Sequence, residues 1–413
     1  MGLIVQKFGG TSLANAEKIH RAARRAIRAK LENHQVVMVV SAMDKATDEL
    51  TDLAYQVTDR PSRREMDQLL ATGEQISIAL MAMAIHHAGH DAISLTGGQI
   101  GLRTDPSFGR ARIREITERG RILSLLKQGS IVIVAGFQGV DEALNITTLG
   151  RGGSDTTAVA LAASMKADVC EIYTDVDGIY SADPRIVPEA RKLPCIIYDE
   201  MLELASLGAQ VMHSRSVELG KNYNVIIHVR SSYTDAKGTD IVRESADLEQ
   251  VVVRGAALRK NLARVELIGV PNRPGLASEI FSVVGRRGVI VDDIIQVIHK
   301  GGSTADISFT IDAADRESAE ATCAELSHDL QGMAIEIKEN LAKVSVVGVG
   351  MRTHTGVASR MFEALHQAKV NIENISTSEI VISCVIQAGD GEQALRAIHG
   401  AFDLDQESNG ESD

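Results

Sequence analysis

Short apolar runs and amphipathic stretches alternate along the first 230 residues. "LIVQKF" (3–8), "QVVMVVSA" (35–42), "SIVIVAGF" (130–137), "ADVCEIYTD" (167–175) and "VIIHVRSSY" (225–233) are continuously hydrophobic rather than alternating. Such strands are buried on both faces, as in a parallel sheet covered by helices. Between them, "ANAEKIHRAARRAIRAKL" and a long stretch from about 62 to 88 read as helices. The β-α-β order predicts an α/β sandwich over residues 1–233. The polar run from 234 to 248 reads as a linker.

Beyond that boundary the pattern repeats itself. "LARVELIGV" (262–270) answers "LAKVSVVGV" (341–349), Gly275 answers Gly356, and Phe281 answers Phe362. "GVIVDDI" (288–294) likewise answers "KVNIENI" (369–375). Each copy reads strand, helix, strand, strand, helix. The first, 262–340, adds a last strand in "MAIEIKE" (333–339), which the second lacks. The strand-like "EQVVVRGAAL" (249–258) has no partner of its own. It is therefore expected to pair into the second copy, so that 249–261 joins 341–404 and the repeats interlock. Residues 405–413 read as an acidic disordered tail.

Composition narrows the function. A chain of 413 residues has room for two or three domains. Net charge of -12, 3% aromatic residues and no Trp argue against a nucleic-acid surface. Cys170, Cys195, Cys323 and Cys384 form no C-x-x-C pair, so free thiols in a reducing compartment are expected, with no structural zinc site. No leader-like segment or window of roughly 18 apolar residues stands out, so a cytoplasmic protein without a membrane partner is expected.

Three segments lie where strands end, which is where open α/β sheets bind ligands. In "VQKFGGTSLA", Gly9 and Gly10 let the backbone approach an anion, Thr11 and Ser12 offer helix caps, and Lys7 adds a charge. Alone, this stretch reads equally as a glycine turn before a capped helix. In "TTLGRGGSDTTAVALAASM" (147–165), Gly150, Gly152 and Gly153 precede an Ala-rich helix, with Ser154 as an N-cap. Three glycines exceed the needs of a turn, and Arg151 suits a carboxylate or phosphate. "YTDVDGIYSADPRIVP" (173–188) holds Asp175, Asp177 and Asp183 but lacks EF-hand spacing. It reads as a solvated acidic turn or as a nucleotide-binding lip beside magnesium. Ser41, Thr47 and Glu74 offer an acceptor site, with a helix cap and an early-turn acid as the plainer readings.

Taken in order, "KFGGTS", "VVSAM…TDEL", "TTLGRGGSDTTA", "YTDVDGIYSADPR" and "STSEI" resemble aspartate kinase of the amino-acid-kinase family, with two C-terminal ACT domains. The resemblance runs from residue 1 to about 400. It implies a three-layer α/β sandwich with a mostly parallel sheet, followed by two interlocked α+β (βαββαβ) ACT domains. The implied reaction is ATP- and Mg2+-dependent phosphorylation of the side-chain carboxylate of L-aspartate to 4-phospho-L-aspartate. That step opens lysine, threonine, methionine and diaminopimelate biosynthesis.

By the family pattern Lys7 and Asp155 are catalytic, and Asp155 orients Lys7 or holds the metal. Lys7, Gly9, Gly10, Ser41, Gly152, Gly153 and Ser154 face the phosphates. Thr174, Asp175, Tyr180, Asp183 and Arg185 border the nucleotide, and Thr47, Glu74 and Arg151 face the amino acid. Effector positions fall on Asn272, Ala277, Ile290, Val291, Asp292 and Gln296, then on Val357, Ala358, Asn371, Ile372, Ser378 and Glu379. Lysine or threonine, or both together, are expected to inhibit. A homo-oligomer through the ACT domains is expected, with a separate ACT-only subunit in some relatives. Two positions depart from the pattern: Asn272 replaces a frequent Asp, and Gln210 replaces a lysine near the nucleotide. The alternatives are another acyl-phosphate-forming kinase of the same fold, such as a glutamate, acetylglutamate or uridylate kinase, and a non-catalytic amino-acid sensor. Tandem ACT repeats disfavour the kinases, and an intact Lys7, Asp155 and glycine set disfavours the sensor.

Overall fold

Hydrophobicity on both faces drives the strands of the amino-terminal part into the middle of a layered sheet. A computed structural model describes residues 2–208, 211–244, 253–329, 333–349, 351 and 356–406. Gln210 lies outside them, as do most of the tail and part of 249–258. The chain divides into two units, one from residues 1–180 and 192–249, the other from 181–191 and 250–413.

The first unit opens with β1 (Leu3–Phe8), α1 (Ala16–Leu31), β2 (Gln35–Val40), α2 (Ala46–Val57), α3 (Arg63–His87) and β3 (Ala92–Leu95). Next come β4 (Leu102–Thr104), β5 (Ile113–Ile116), α4 (Arg119–Lys127), β6 (Ile131–Ala135), β7 (Gln138–Val140) and β8 (Ile146–Thr148). It closes with α5 (Gly153–Met165), β9 (Val169–Thr174), β10 (Cys195–Ile197), α6 (Tyr198–Ser206), α7 (Ser214–Tyr223), β11 (Ile227–Ser231) and β12 (Thr239–Val242). Eight strands form one sheet in the order β10-β12-β11-β9-β1-β2-β6-β3, parallel except between β11 and β12. A smaller sheet runs β5-β4-β7-β8.

Strand parity separates two cores. Phe8, Val36, Met38, Val40, Ile131 and Ile133 pack with Ile19 and Ala26 of α1 and Ile78, Met81 and Ile85 of α3. Lys7, one residue from Phe8, faces the other side of the sheet, where α5 packs against β1, β2 and β9. Phe8 stacks on Tyr173 with ring centroids 4.6 Å apart, which aligns the ends of β1 and β9.

Several local expectations change. The N-cap of α1 is Asn15, whose side chain accepts from Lys18 N, because Gly10–Leu13 forms a 3-10 turn holding Thr11 and Ser12. Gly152, not Ser154, caps α5, so Ser154 sits inside its first turn. The expected linker at 234–248 carries β12, a sheet strand with Thr239 and Ile241 fully buried. Its four residues are too short to register in a charged stretch. Contrary to expectation, α3 has the length and apolar composition to cross a membrane, but half of that stretch is buried inside the protein.

The second unit contains β13 (Gly255–Pro271), α8 (Leu276–Arg286), β14 (Val291–Ile298), β15 (Thr304–Asp312), α9 (Arg316–Asp329) and β16 (Ala334–Val347). It continues with α10 (Val357–Gln367), β17 (Asn374–Thr377), β18 (Val381–Gln387) and α11 (Gly391–Ala401). The strands form one sheet, β14-β15-β13-β16-β18-β17. Both repeats share β13 and β16: Gly255–Arg259 pairs with Lys343–Val347, whereas Arg264–Ile268 pairs with Ala334–Lys338. Asn261 and Asn340, equivalent in the repeat, take φ of 60° and 57° where the register shifts. Asparagine tolerates that left-handed conformation better than most residues. Segment 181–191 joins this unit, with Ser181 O accepting from Ala256 N at 2.7 Å and Ser181 Oγ 3.0 Å from His399 Nε2.

Candidate active site

Three strand ends and two helix starts converge on a cleft of about 850 Å³ in the first unit. Lys7, Gly9, Gly10, Ser41, Thr47, Glu74, Arg151, Gly152, Gly153, Ser154 and Asp155 all line it. Residues from four separate stretches of sequence therefore meet in one place.

The first glycine loop is built by close backbone approach. Gly9 N donates to Tyr173 O at 3.3 Å, and Asp44 N donates to Gly10 O at 3.1 Å. A Cβ on Gly10 would lie 2.6 Å from Ala42 O, so no side chain fits there. The second loop needs left-handed backbone, with φ of 77° at Gly150 and 67° at Gly152. A Cβ on Gly152 would also meet the His213 side chain, its Cβ at 2.2 Å. This loop delivers the start of α5 to the cleft, where unpaired N–H groups and the helix dipole favour an anion.

Lys7 and Asp155 face each other across the junction of β1 and α5. Lys7 Nζ lies 2.5 Å from Asp155 Oδ1, an ion pair off the line of a hydrogen bond. Both side chains are nearly buried yet line the cleft. Glu74 reaches in from α3. Its Oε1 accepts from Ala42 N at 2.9 Å, while Oε2 is buried without a hydrogen-bond partner among the described residues. Burial pushes the Glu74 carboxyl up to about 7, against the lowering effect of the Ala42 N–H. Its free oxygen suits a ligand ammonium.

The other positions expected to border the nucleotide are not among the residues lining this cleft. Thr174 ends β9, Asp175 follows it, and the two bond to each other, Thr174 Oγ1 donating at 3.0 Å. Tyr180 OH donates to Asp177 Oδ1 at 2.8 Å. Asp183 is paired with Arg185 at 2.7 Å, and both belong to the segment that joins the second unit.

Sequence reasoning missed Asp44, Arg63, Asp67, Arg110 and Phe137, which also line the cleft. Asp67 lies seven residues before Glu74 on one helix, a spacing that places both on one face and was a usable signal. Arg110, in a Pro/Gly loop, gave none.

The positions expected to bind effectors lie at both edges of the second unit's sheet. Ile290, Val291, Asp292 and Gln296 lie at or on β14, with Asn272 and Ala277 at the loop before α8 and its first turn. Val357 and Ala358 start α10, and Asn371, Ile372, Ser378 and Glu379 flank β17. β14 and β17 are opposite edge strands, so one chain does not bring the two edge sets together. Asp292 is already engaged, 2.7 Å from Lys343 Nζ and 3.1 Å from Arg259 NH1. Asn272 Nδ2 donates to Gly302 O at 2.7 Å.

Comparison with known proteins agrees with this layout. Residues 2–231 match the amino acid kinase family, and 264–326 and 344–402 each match the ACT domain. Aspartokinase 2 of Bacillus subtilis (strain 168) is 50% identical over 404 residues, covering 98% of either chain. Aspartate kinase of Pseudomonas putida is 47% identical over 407 residues, again 98% of both. Among solved structures, E. coli aspartokinase III in complex with aspartate and ADP matches with a TM-score of 0.81 at 25% identity. That match covers 97% of this chain and 99% of the other. With half its residues identical to such a relative across nearly the full length, and kinase and ACT regions in sequence, the chain belongs to the aspartokinases of the amino acid kinase family.

Proposed function

We propose that this chain transfers the γ-phosphoryl group of ATP to the side-chain carboxylate of L-aspartate, giving ADP and 4-phospho-L-aspartate, and that amino acids bound by its ACT part regulate the step. The observation that carries the reading is the meeting of Lys7, both glycine loops and the half-satisfied Glu74 in one cleft.

The chemistry asks little beyond positioning. An aspartate carboxylate, with a pKa near 4, is ionised at neutral pH and needs no general base. One of its oxygens bonds to the γ-phosphorus as the bond to the bridging oxygen breaks, and ADP leaves with that electron pair. Lys7 neutralises charge on the transferring group, while N–H groups of the glycine loops hold the phosphate oxygens. Glu74 takes the substrate ammonium, Arg151 a carboxylate, and Thr47 lines the acceptor end. Thr174, Asp175 and Tyr180 are assigned to the nucleotide because they continue from β9, the neighbour of the Lys7 strand.

Magnesium fits this site as an ion brought with the nucleotide. Among the described residues no three His, Cys, Asp or Glu side chains cluster as a metal cage. Magnesium typically takes one or two carboxylates with phosphate oxygens, and Asp155, beside Lys7, would be its protein ligand. When bound, it neutralises phosphate charge.

Residues 1–233, extended by β12, would perform the transfer, with 262–340 and 249–261 plus 341–404 as sensors. The exposed edge of β14, with Ile294, Val297 and Ile298 more than half exposed, supports assembly with a second copy. Buried free Cys170, Cys323 and Cys384 suit the reducing cytoplasm. Incubation with MgATP and a panel of acidic amino acids, read as hydroxamate, tests the reading. Aspartyl hydroxamate is expected, and none above background overturns it. Lysine or threonine titrated into that assay should inhibit.

A further inference from the structure

Asp67 is a carboxylate only 1% exposed, and among the described residues its partners are three hydrogen-bond donors rather than a cation. Its Oδ2 accepts from Gly109 N at 2.9 Å and Thr148 N at 2.7 Å, and its Oδ1 accepts from Thr148 Oγ1 at 2.7 Å. Arg215 of α7 takes up the carbonyls of the same two loops. Its NH1 donates to Leu149 O at 2.9 Å and its NH2 to Ala111 O at 2.8 Å. Ala111 N in turn donates to Thr148 O at 2.9 Å. The loops touch further on, since a Cβ at Gly150 would lie 3.0 Å from Gly109 O. Two distant stretches of sequence are thus stitched together by a carboxylate and a guanidinium.

Each stitched loop presents an arginine to the cleft. Gly109 immediately precedes Arg110, and Thr148 and Leu149 lie just before Arg151. Arg110 and Arg151 both line the cleft, as does Glu74 with its unpartnered oxygen. A dicarboxylate acceptor has two groups for two guanidiniums to recognise.

We propose that Asp67 and Arg215 are positioning residues for the acceptor site, setting the spacing of Arg110 and Arg151 on the carboxylates of the substrate, and that Arg110 is a second guanidinium of that site. The inference rests on the acceptor being aspartate. Asp67 shares its helix with Glu74, so α3 presents the ammonium partner directly and the carboxylate partners through Asp67. Asp67 holds the second glycine loop at Thr148, upstream of Gly152, and its donors among the described residues include none from the loop around Gly9.

The test is steady-state kinetics on the full chain with KM resolved for each substrate. Asp67→Ala should raise KM for aspartate roughly tenfold or more, while KM for MgATP stays within about twofold. Asp67→Asn should rescue most of this. Its amide oxygen can still accept from both backbone N–H groups, and its NH2 can donate to the Thr148 hydroxyl, which serves as donor or acceptor. The double variant Asp67→Ala/Arg110→Ala should show a KM for aspartate within about threefold of Arg110→Ala alone, because without Arg110 there is no spacing of two guanidiniums left for Asp67 to set. Parallel rises in both KM values, or an unchanged KM for aspartate in folded enzyme, overturn the proposal. Where Asp67→Ala fails to fold, Arg215→Lys decides by the same criterion, since it loses the two-pronged hold on Leu149 O and Ala111 O. A wild-type enzyme inactive on aspartate overturns the functional reading instead.

Discussion

Lys7 and Asp155 stand 2.5 Å apart, one on the first strand and the other in the first turn of the helix behind the second glycine loop. The pair places a positive charge at the phosphate end of the cleft and keeps it there when no phosphate is bound. Lys7→Ala should lower kcat by roughly three orders of magnitude, as expected for losing a transition-state charge contact. The same change strands Asp155, so about 1–2 kcal/mol of stability should go with it. Lys7→Ala/Asp155→Ala should regain that stability without regaining turnover. Thermal unfolding and single-turnover rates check both halves, and near wild-type turnover in Lys7→Ala would remove Lys7 from the phosphate site.

Glu74 carries a pH signature. Burial raises its carboxyl from the usual 4.5 to about 7, so much of the free enzyme holds it protonated near neutrality. Only the ionised form attracts the substrate ammonium. Thus kcat/KM for aspartate should climb as pH rises through about 7 and level off above it. Stability runs the opposite way. Between 4.5 and about 7 the folded state holds more protons than the unfolded, so stability falls as pH rises through that window. Glu74→Gln should abolish the rising limb and stabilise the protein above pH 7 by at most roughly 3 kcal/mol. A variant that keeps the limb would assign it to another group.

Much of this site was legible in the sequence because its chemistry sits at strand ends and in glycine loops. Lys7 before two glycines and Arg151 among three are local signals. Asp67 is different: its donors lie 42 and 81 residues away, and alone it reads as one more helix acid. The cap of α1 was misplaced because a 3-10 turn intervenes between the glycines and the helix, leaving the capping to Asn15. The interlocking of the repeats was visible because one strand had no partner. That β13 and β16 are each continuous through both repeats was not, since Asn261 and Asn340 look like turn residues.

Lys343 is 3% exposed and places its ammonium 2.7 Å from oxygens of both Asp292 and Asp293. Asp292 also meets Arg259, so its charge is already spent within the sheet. Lys343→Met should destabilise the second unit by about 3 kcal/mol, because Asp293 loses this cation and Asp292 is left with Arg259. Asp292→Asn should lower the unfolding midpoint while shifting the half-inhibitory effector concentration by less than about threefold. Calorimetry with lysine and threonine decides. A tenfold loss of effector response at unchanged stability would make Asp292 a direct contact.

The shared strand sets where a separate ACT fragment has to begin. Gly255–Arg259 covers the edge of Lys343–Val347, and Ala256 and Ala257 are buried there. Leu258 packs on α11, where a Cβ on Gly391 would lie 3.0 Å from its Cδ1. A fragment starting at residue 262 keeps the first repeat's pairing but bares the edge of β16 in the second. It also uncovers part of the apolar base of α11. That loss amounts to roughly 2–4 kcal/mol of burial, and an open apolar edge invites pairing with other chains. A fragment starting at residue 250 should therefore unfold cooperatively and stay soluble, whereas one starting at 262 should melt lower and self-associate. Scanning calorimetry and light scattering on the two fragments test this. Equal midpoints would mean that the first half of β13 adds nothing to the second repeat.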